Sequence, residues 1–418
     1  MAVLLMQGAL SDVRVLDLCQ MLAGPYAAQL LADLGADVIK VEPVTGDPTR
    51  RLLAHDPRYT VDGLGAYFAT LNRNKRSVAL DLKSEAGRRL FEGLVAKTDV
   101  VLSNFSVEVT ERLRLRHADL IGHNPRLVTA AISGFGATGP RRHQVVFDAV
   151  AQAMGGGMSL TGEPGGVPLR AGLPIGDLSS GLMVVIGLLA ALRARDRTGE
   201  GQHVDLAMHD TQLSLLNYIA TMHTLSGEVP GPRGNAHPVH VPYDAYPTAD
   251  GWLVVAVIFD PMWPRFLAAT GFQELDRPEY RTAAGREQHR AAIDDVLRAR
   301  FLEQPRDVWV DRLVAERVPC APVFGVDEAL TDVQTMARHM VVDVPGPDGT
   351  RSRQPGNPVK LSSMPDPPPF RPAPRLGEHT QSVLADELAL DRAAIDRLVE
   401  AGVIGVSDVR PAEDRVQE

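Results

Sequence analysis

VRVLDL (13–18), YAAQLLADLG (26–35) and ADVIKVE (36–42) come in succession, with one short loop ending in Pro25 between the first two. The first and third are apolar, β-branched runs of strand length, and the second spaces its apolar residues along one helical face. Pro25 stands where a helix can begin. Strand, helix and strand at this spacing make a βαβ unit, in which the helix carries the chain back so that the two strands lie parallel. Working outward, SVALDL (77–82), a helix over 84–97, DVVLSN (99–104) and LVTAAISGFG (127–136) continue the alternation. The expected fold class is α/β, with a large doubly wound, mainly parallel sheet.

A chain of 418 residues exceeds what one hydrophobic core usually organises, so a second domain is expected. Pro and Gly cluster between 225 and 251, ahead of a new strand, WLVVAVI (252–258). Helices around 285–303 and 306–316 and a strand in VPCAPVFG (318–325) follow. This reading places 1–225 together with 377–418 in a large α/β domain and 226–342 in a smaller α+β domain. The segment 343–376 is rich enough in proline to predict an extended crossing linker without regular structure. Helices near 380–388 and 391–402 complete the chain.

The net charge of −9, with no long basic run, argues against nucleic acid or an anionic membrane as the main partner. Any phosphate must then be met locally. Lysine occurs only at 40, 75, 83, 97 and 360, which draws notice to Lys40 and Lys75. Cys19 and Cys320 show neither a disulfide framework nor zinc-ligand spacing, so no metal is expected and a reducing cytoplasm is the expected location. MAVLLMQGAL (1–10) lacks a basic leader, and the apolar run GLMVVIGLLAAL (181–192) stops at Arg193, short of a spanning helix.

Common cofactor motifs are missing. The first turn, QMLAGP (20–25), carries only Gly24, so the dinucleotide fingerprint fails and Glu42 is a weak candidate for a ribose-binding acid. There is no P-loop, no G-x-S-x-G and no H-E-x-x-H. What stands out instead is GLPIGDLSSGLMVVIGLLAAL (172–192), where Asp177 precedes a helix apolar nearly all round. An aspartate there is ordinarily a helix cap, a task Ser179 or Ser180 could also perform; the other reading is a reactive carboxylate.

The order of several phrases discriminates between these. LAGPYAAQLLADLGADVIKVEP (22–43), GDPTR (46–50), NRNKRSVALDLK (72–83), FDAVAQAMGG (147–156), the Asp177 stretch and RTGEGQHVDLAMHD (197–210) resemble, as an ordered set, the family III CoA-transferases. That group includes formyl-CoA and carnitine CoA-transferases and the α-methylacyl-CoA racemases. The likeness continues through RGN (233–235), YPTADGW (246–252), VPCAPV (318–323), GNPVKLS (356–362) and LGEHT (376–380). It implies a homodimer of two subunits threaded through each other. It also implies coenzyme A and acyl-CoA as substrates with a small carboxylic acid, and no permanently bound cofactor.

By this resemblance Asp177 is the nucleophile, forming first an acyl anhydride and then an aspartyl-CoA thioester. Leu22, Ala23, Leu80, Asn104, Phe105 and Arg112 fall on CoA-contact positions, and Lys75 is the preferred phosphate ligand among Arg73, Lys75 and Arg76. The chain also departs from the family pattern. Pro43 and Val145 replace basic residues, leaving Arg50, Arg51, Arg141 and Arg142 as substitutes. AHPVHVP (236–242) replaces a glycine-rich lid, which argues against formyl and oxalate and brings His237 and His240 forward. Racemases of the group carry a histidine where this chain has Phe147, with His143 the nearest in sequence. A CoA-transferase is thus the expected activity, ahead of a 2-methylacyl-CoA racemase or a silent CoA-binding protein.

Overall fold

The computed structural model describes residues 8–407, and there the βαβ unit is present. Residues 1–7 of the leader reading and 408–418 of the expected large domain lie outside the described residues. Strands Arg14–Asp17 (β1) and Asp37–Glu42 (β2) pair in parallel around helix Ala23–Asp33 (α1). The helix starts ahead of Pro25, which sits in its first turn, where the missing N–H costs nothing. The alternation continues with strand Lys75–Leu80 (β3), which follows helix Ala66–Asn72 (α2) and precedes helix Glu85–Val95 (α3). Strand Val100–Ser103 (β4), helix Val107–Arg112 (α4) and strand Val128–Ser133 (β5) come next. Helices Asp148–Met154 (α5) and Ile175–Thr198 (α6), strand His203–Ala207 (β6), and helices Met208–Leu216 (α7) and Tyr218–Ser226 (α8) follow.

The sheet runs β3-β2-β1-β4-β5-β6, all parallel, and a short strand near the other end of the chain, Ile404–Gly405, adds antiparallel to β3. The strand order reverses at β1, which makes the sheet doubly wound. Alternate faces fill two cores. One gathers Val15, Val38, Leu102 and Ala130 with α1 and α6, and the other gathers Leu16, Ile39, Val78 and Val101 with Phe91, Leu94 and Leu384.

The chain divides into two compact units. Among the described residues, the first takes 8–157, 170–226 and 334–407 and holds the seven-stranded sheet. The second takes 158–169 and 227–333. Its three-stranded antiparallel sheet, Tyr243–Pro247, Trp252–Ala256 and Cys320–Pro322, packs on an aromatic cluster of Trp263, Phe266, Phe272, Phe301 and Trp309. Residues 334–342 therefore fall with the first unit rather than the second. The segment expected to lack regular structure contains a hairpin, Val341–Pro345 paired with Arg351–Pro355. Its prolines stand at the strand ends, where no ladder donor is lost, and Gly349 supplies the left-handed turn residue (φ 91°).

Candidate active site

α6 is a long helix with an extended apolar middle, and it brings Asp177 into its first turn. Its 24 residues are long and apolar enough to cross a bilayer by length and composition, but Val184, Leu188, Ala191 and Leu192 are spent on the sheet core. Gly176 and Gly181 let neighbours come close. A Cβ at Gly181 would lie 2.8 Å from the carbonyl of Ala23, so the start of α1 packs directly on α6 one turn beyond Asp177.

Asp177 does not cap its helix. The exposed amides of the first turn are met from α5, where Asp148 Oδ1 accepts from Gly176 N at 2.8 Å and from Asp177 N at 3.3 Å. The Ser179 and Ser180 hydroxyls point backward, donating to the carbonyls of Ile175 and Gly176. Gln152 fixes the capping carboxylate by donating to its other oxygen at 2.7 Å. Asp177 is therefore released from the structural task that its position suggests, and among the described residues no hydrogen bond or ion pair reaches its carboxylate. Partial burial, and secondarily the charge of Asp148, push its pKa up to about 6. The same field acts on Tyr67 of α2: burial, then the charges of Asp177, Asp47 and Asp148, push the phenol up to about 12.

A basic cleft opens past the carboxyl end of β3. Its volume is about 340 Å³, and Lys83, Arg112 and Arg114 line it together with Arg88. Arg88 is occupied, pairing with Glu92 and donating to the Leu113 carbonyl. Lys83 and Arg112 stand exposed. Carboxyl ends of parallel strands are where ligands of such sheets bind. A second cleft of about 330 Å³ lies over β4, β5 and β6, with Phe105 and Arg142 in its lining.

The expected CoA contacts divide. Leu22 is half-buried, while Ala23 (3% exposed) and Leu80 (1%) are closed off by packing. Arg112 faces the basic cleft and Phe105 the neighbouring one. Asn104 is committed to backbone, its amide bonding both polar groups of Gln20. Lys75 is buried against Asp17 at 2.9 Å, with Asn72 and the Pro25 carbonyl as further acceptors. Arg73 is likewise consumed by Asp33 and the Pro355 carbonyl, and Arg76 by Asp37. Charge type was legible in NRNKRS; burial was not, because the partners lie far off in sequence. Lys83, which the motif reading passed over, sits where a strand ends and Ser84 caps the next helix, a signal present in VALDLKSE.

The substitute arginines are similarly uneven. Arg50 forms a buried pair with Glu42, which also accepts from Ser77, so Glu42 is no ribose acid. Arg51 donates to the Thr45 carbonyl, Arg141 to Gln144 and Arg142 to His143, all on the surface. His143 also meets Glu108. In the second unit His237 stacks between His240 and Tyr243, and its Nδ1 accepts from the amides of Val239 and His240. Among the described residues no cluster of three or more His, Cys, Asp or Glu could hold a metal ion.

A doubly wound α/β unit that pairs an uncommitted, partly buried carboxylate with a basic cleft at its strand ends has the makings of an enzyme rather than a scaffold. Comparison with known proteins gives the family. Residues 10–380 match the family model CoA-transferase family III, and the chain belongs to that family. It is 39% identical over 397 residues to a succinyl-CoA:mesaconate CoA-transferase of Haloarcula marismortui, covering 92% of this chain and 97% of that one. A succinate–glutarate CoA-transferase of Agrobacterium fabrum is 38% identical over 392 residues, with 92% and 97% covered. Among solved structures, a CAIB/BAIF family protein from Brucella suis superposes with a TM-score of 0.80 at 35% identity, over 91% of this chain and all of that one.

Proposed function

We propose that the protein moves coenzyme A from an acyl-CoA donor to a carboxylic acid, with Asp177 as the nucleophile. The observation that carries this reading is the liberated carboxylate of Asp177, whose expected capping duty falls to Asp148. With a pKa of about 6 it is ionised at neutral pH yet poorly solvated, which suits a nucleophile.

The exchange conserves the thioester. A carboxylate oxygen of Asp177 attacks the donor carbonyl, the C–S bond breaks, and a mixed anhydride and CoA thiolate result. The thiolate attacks the aspartyl carbonyl, forming an aspartyl-CoA thioester and releasing the donor acid as its carboxylate. The acceptor carboxylate then attacks that thioester, giving a new anhydride and thiolate, and the thiolate takes the acceptor acyl group, restoring Asp177. No proton is gained or lost. Small residues at 176 and 181 keep the approach open, and Lys83 and Arg112 supply the local positive charge that CoA phosphates need in an otherwise acidic protein.

From the names of the relatives, we take succinyl-CoA as the donor to try first and a five-carbon dicarboxylic acid as the acceptor. Phe147, exposed beside Asp148, offers no proton acceptor, which disfavours racemisation. We further infer an interlocked homodimer, with the large domain assembled from both ends of the chain. The apolar side chains left exposed on α6 (Leu182, Ile186) and α8 (Met222, Leu225) support such a partner. Incubation with succinyl-CoA followed by hydroxylamine should modify Asp177, as read by mass spectrometry of the peptide. An unmodified Asp177 in an enzyme that still turns over would overturn the assignment.

A further inference from the structure

The segment Cys19–Pro25 carries the chain from β1 through a short loop into the first turn of α1, and three side chains far from it in sequence grip its backbone. At one end, Lys40 Nζ donates to the Cys19 carbonyl at 2.8 Å. At the other, Lys75 Nζ donates to the Pro25 carbonyl at 3.0 Å. Between them the side-chain amide of Asn104 forms a reciprocal pair with Gln20, accepting from its N–H at 2.9 Å and donating to its C=O at 2.6 Å.

Neither lysine can reach a ligand, since Lys40 is 0% and Lys75 3% exposed. Each ammonium is neutralised in place, Lys40 by Asp47 and Lys75 by Asp17, both at 2.9 Å. Asp17 in turn accepts from the Cys19 amide, closing the network onto the same loop. Buried ion pairs seldom add net stability, so three polar groups converging on one short backbone segment point to a geometry being specified.

The geometry is an unusual one. Met21 follows the clasped Gln20 and stands in the left-handed region (φ 65°), a conformation that is unfavourable for a non-glycine residue and persists where surroundings impose it. Gly24 folds so close to Cys19 that an added Cβ would lie 2.2 Å from its sulfur. The loop ends at Leu22 and Ala23, and the Ala23 carbonyl is the group against which Gly181 of the Asp177 helix packs.

We propose that Lys40, Lys75 and Asn104 are positioning residues that hold Gln20–Ala23 as a preformed cradle for the acyl-CoA thioester, aligned with the helix carrying Asp177. They act on the loop backbone and not on the ligand. This rests on the reading of the site as a CoA-transfer centre. It reassigns Asn104, which the family resemblance makes a ligand contact, and Lys75, which its place in a basic run suggests as a phosphate ligand, and adds Lys40.

The test uses Asn104→Leu, which removes the clasp without stranding a buried charge, as Lys40→Met would strand Asp47. Amide hydrogen exchange is followed in the ligand-free full-length protein, and kinetics with succinyl-CoA are measured alongside. The expected result is exchange at Gln20–Ala23 at least about tenfold faster, the global melting transition held, KM for acyl-CoA raised about tenfold, and KM for the acid unchanged. Asn104→Asp, which keeps the acceptor and loses the donor, should fall between. A raised KM with unchanged exchange would make Asn104 a direct ligand contact, and faster exchange with unchanged KM would show that the loop is no cradle; either overturns the proposal. Failure of the functional reading is separable, because it would appear as absence of transfer in the wild type while the ligand-free exchange difference remained.

Discussion

Asp177→Asn should make the protein inactive and more stable, and the gain should depend on pH. A free aspartate titrates near 3.8 and Asp177 at about 6. Each tenfold change in acidity is worth about 1.4 kcal/mol, so holding this carboxylate ionised costs the folded state about 3 kcal/mol once pH is above both values. Water reaching the partly exposed group trims that to about 2–3 kcal/mol. The sign follows from the direction: the folded-state pKa is raised, so the penalty is small where the group is protonated in both states, grows as pH climbs from 3.8 to 6, and is constant beyond. Asparagine is nearly isosteric and uncharged. Urea denaturation of the wild type and Asp177→Asn should therefore differ by about 0.5 kcal/mol at pH 4 and by about 2–3 kcal/mol at pH 7.5. Equal stabilities at both pH values, or a variant less stable at pH 7.5, would refute the claim that burial and Asp148 hold a costly charge here.

Asp148→Asn keeps an oxygen for the Gly176 amide but removes the neighbouring charge, so the acid limb of the kcat/KM profile should move to lower pH; an unmoved limb would leave burial as its sole cause. Lys83→Ala and Arg112→Ala should each raise KM for acyl-CoA several-fold with kcat nearly constant, and an unchanged KM in both would remove the basic cleft from the site. Incubating a 2-methylacyl-CoA with the enzyme in heavy water should give little α-deuterium, as the Phe147 ring can neither donate nor accept a proton; rapid Asp177-dependent uptake would reverse that. Sedimentation should show a dimer of about twice 45.2 kDa that survives dilution, and a concentration-dependent monomer would speak against interlocking.

The central sheet was readable because its buried strands are continuous apolar runs and its helices amphipathic. β6 was not, since its exposed edge alternates His203, Val204, Asp205 and Leu206, and two residues of terminal strand give no pattern at all. Asp177 could be singled out by its small neighbours and the ordered phrases around it. Its freedom from capping could not, because Asp148 lies 29 residues away. The basic residues were the weakest point for the same reason. Lys75 meets Asp17 across 58 positions and Arg73 meets Asp33 across 40, so local sequence shows the charge and hides the partner.

The edge strand of the sheet has a bearing on how the chain is made. β3 is complete by residue 80, yet its outer side is covered only when Ile404–Gly405 arrives, with Thr380 Oγ1 bonding the Ala79 amide and Ser77 Oγ accepting from Gly377. During synthesis at about 5–20 residues per second, that edge stays open for at least some fifteen seconds with its hydrogen-bonding groups unpaired. An open edge invites pairing with other nascent chains. The stretch from Gly377 to Gly405 thus acts as a seal applied long after the strand it covers has been made. Yield of native protein should respond to what shields the growing chain as much as to the stability of the finished one.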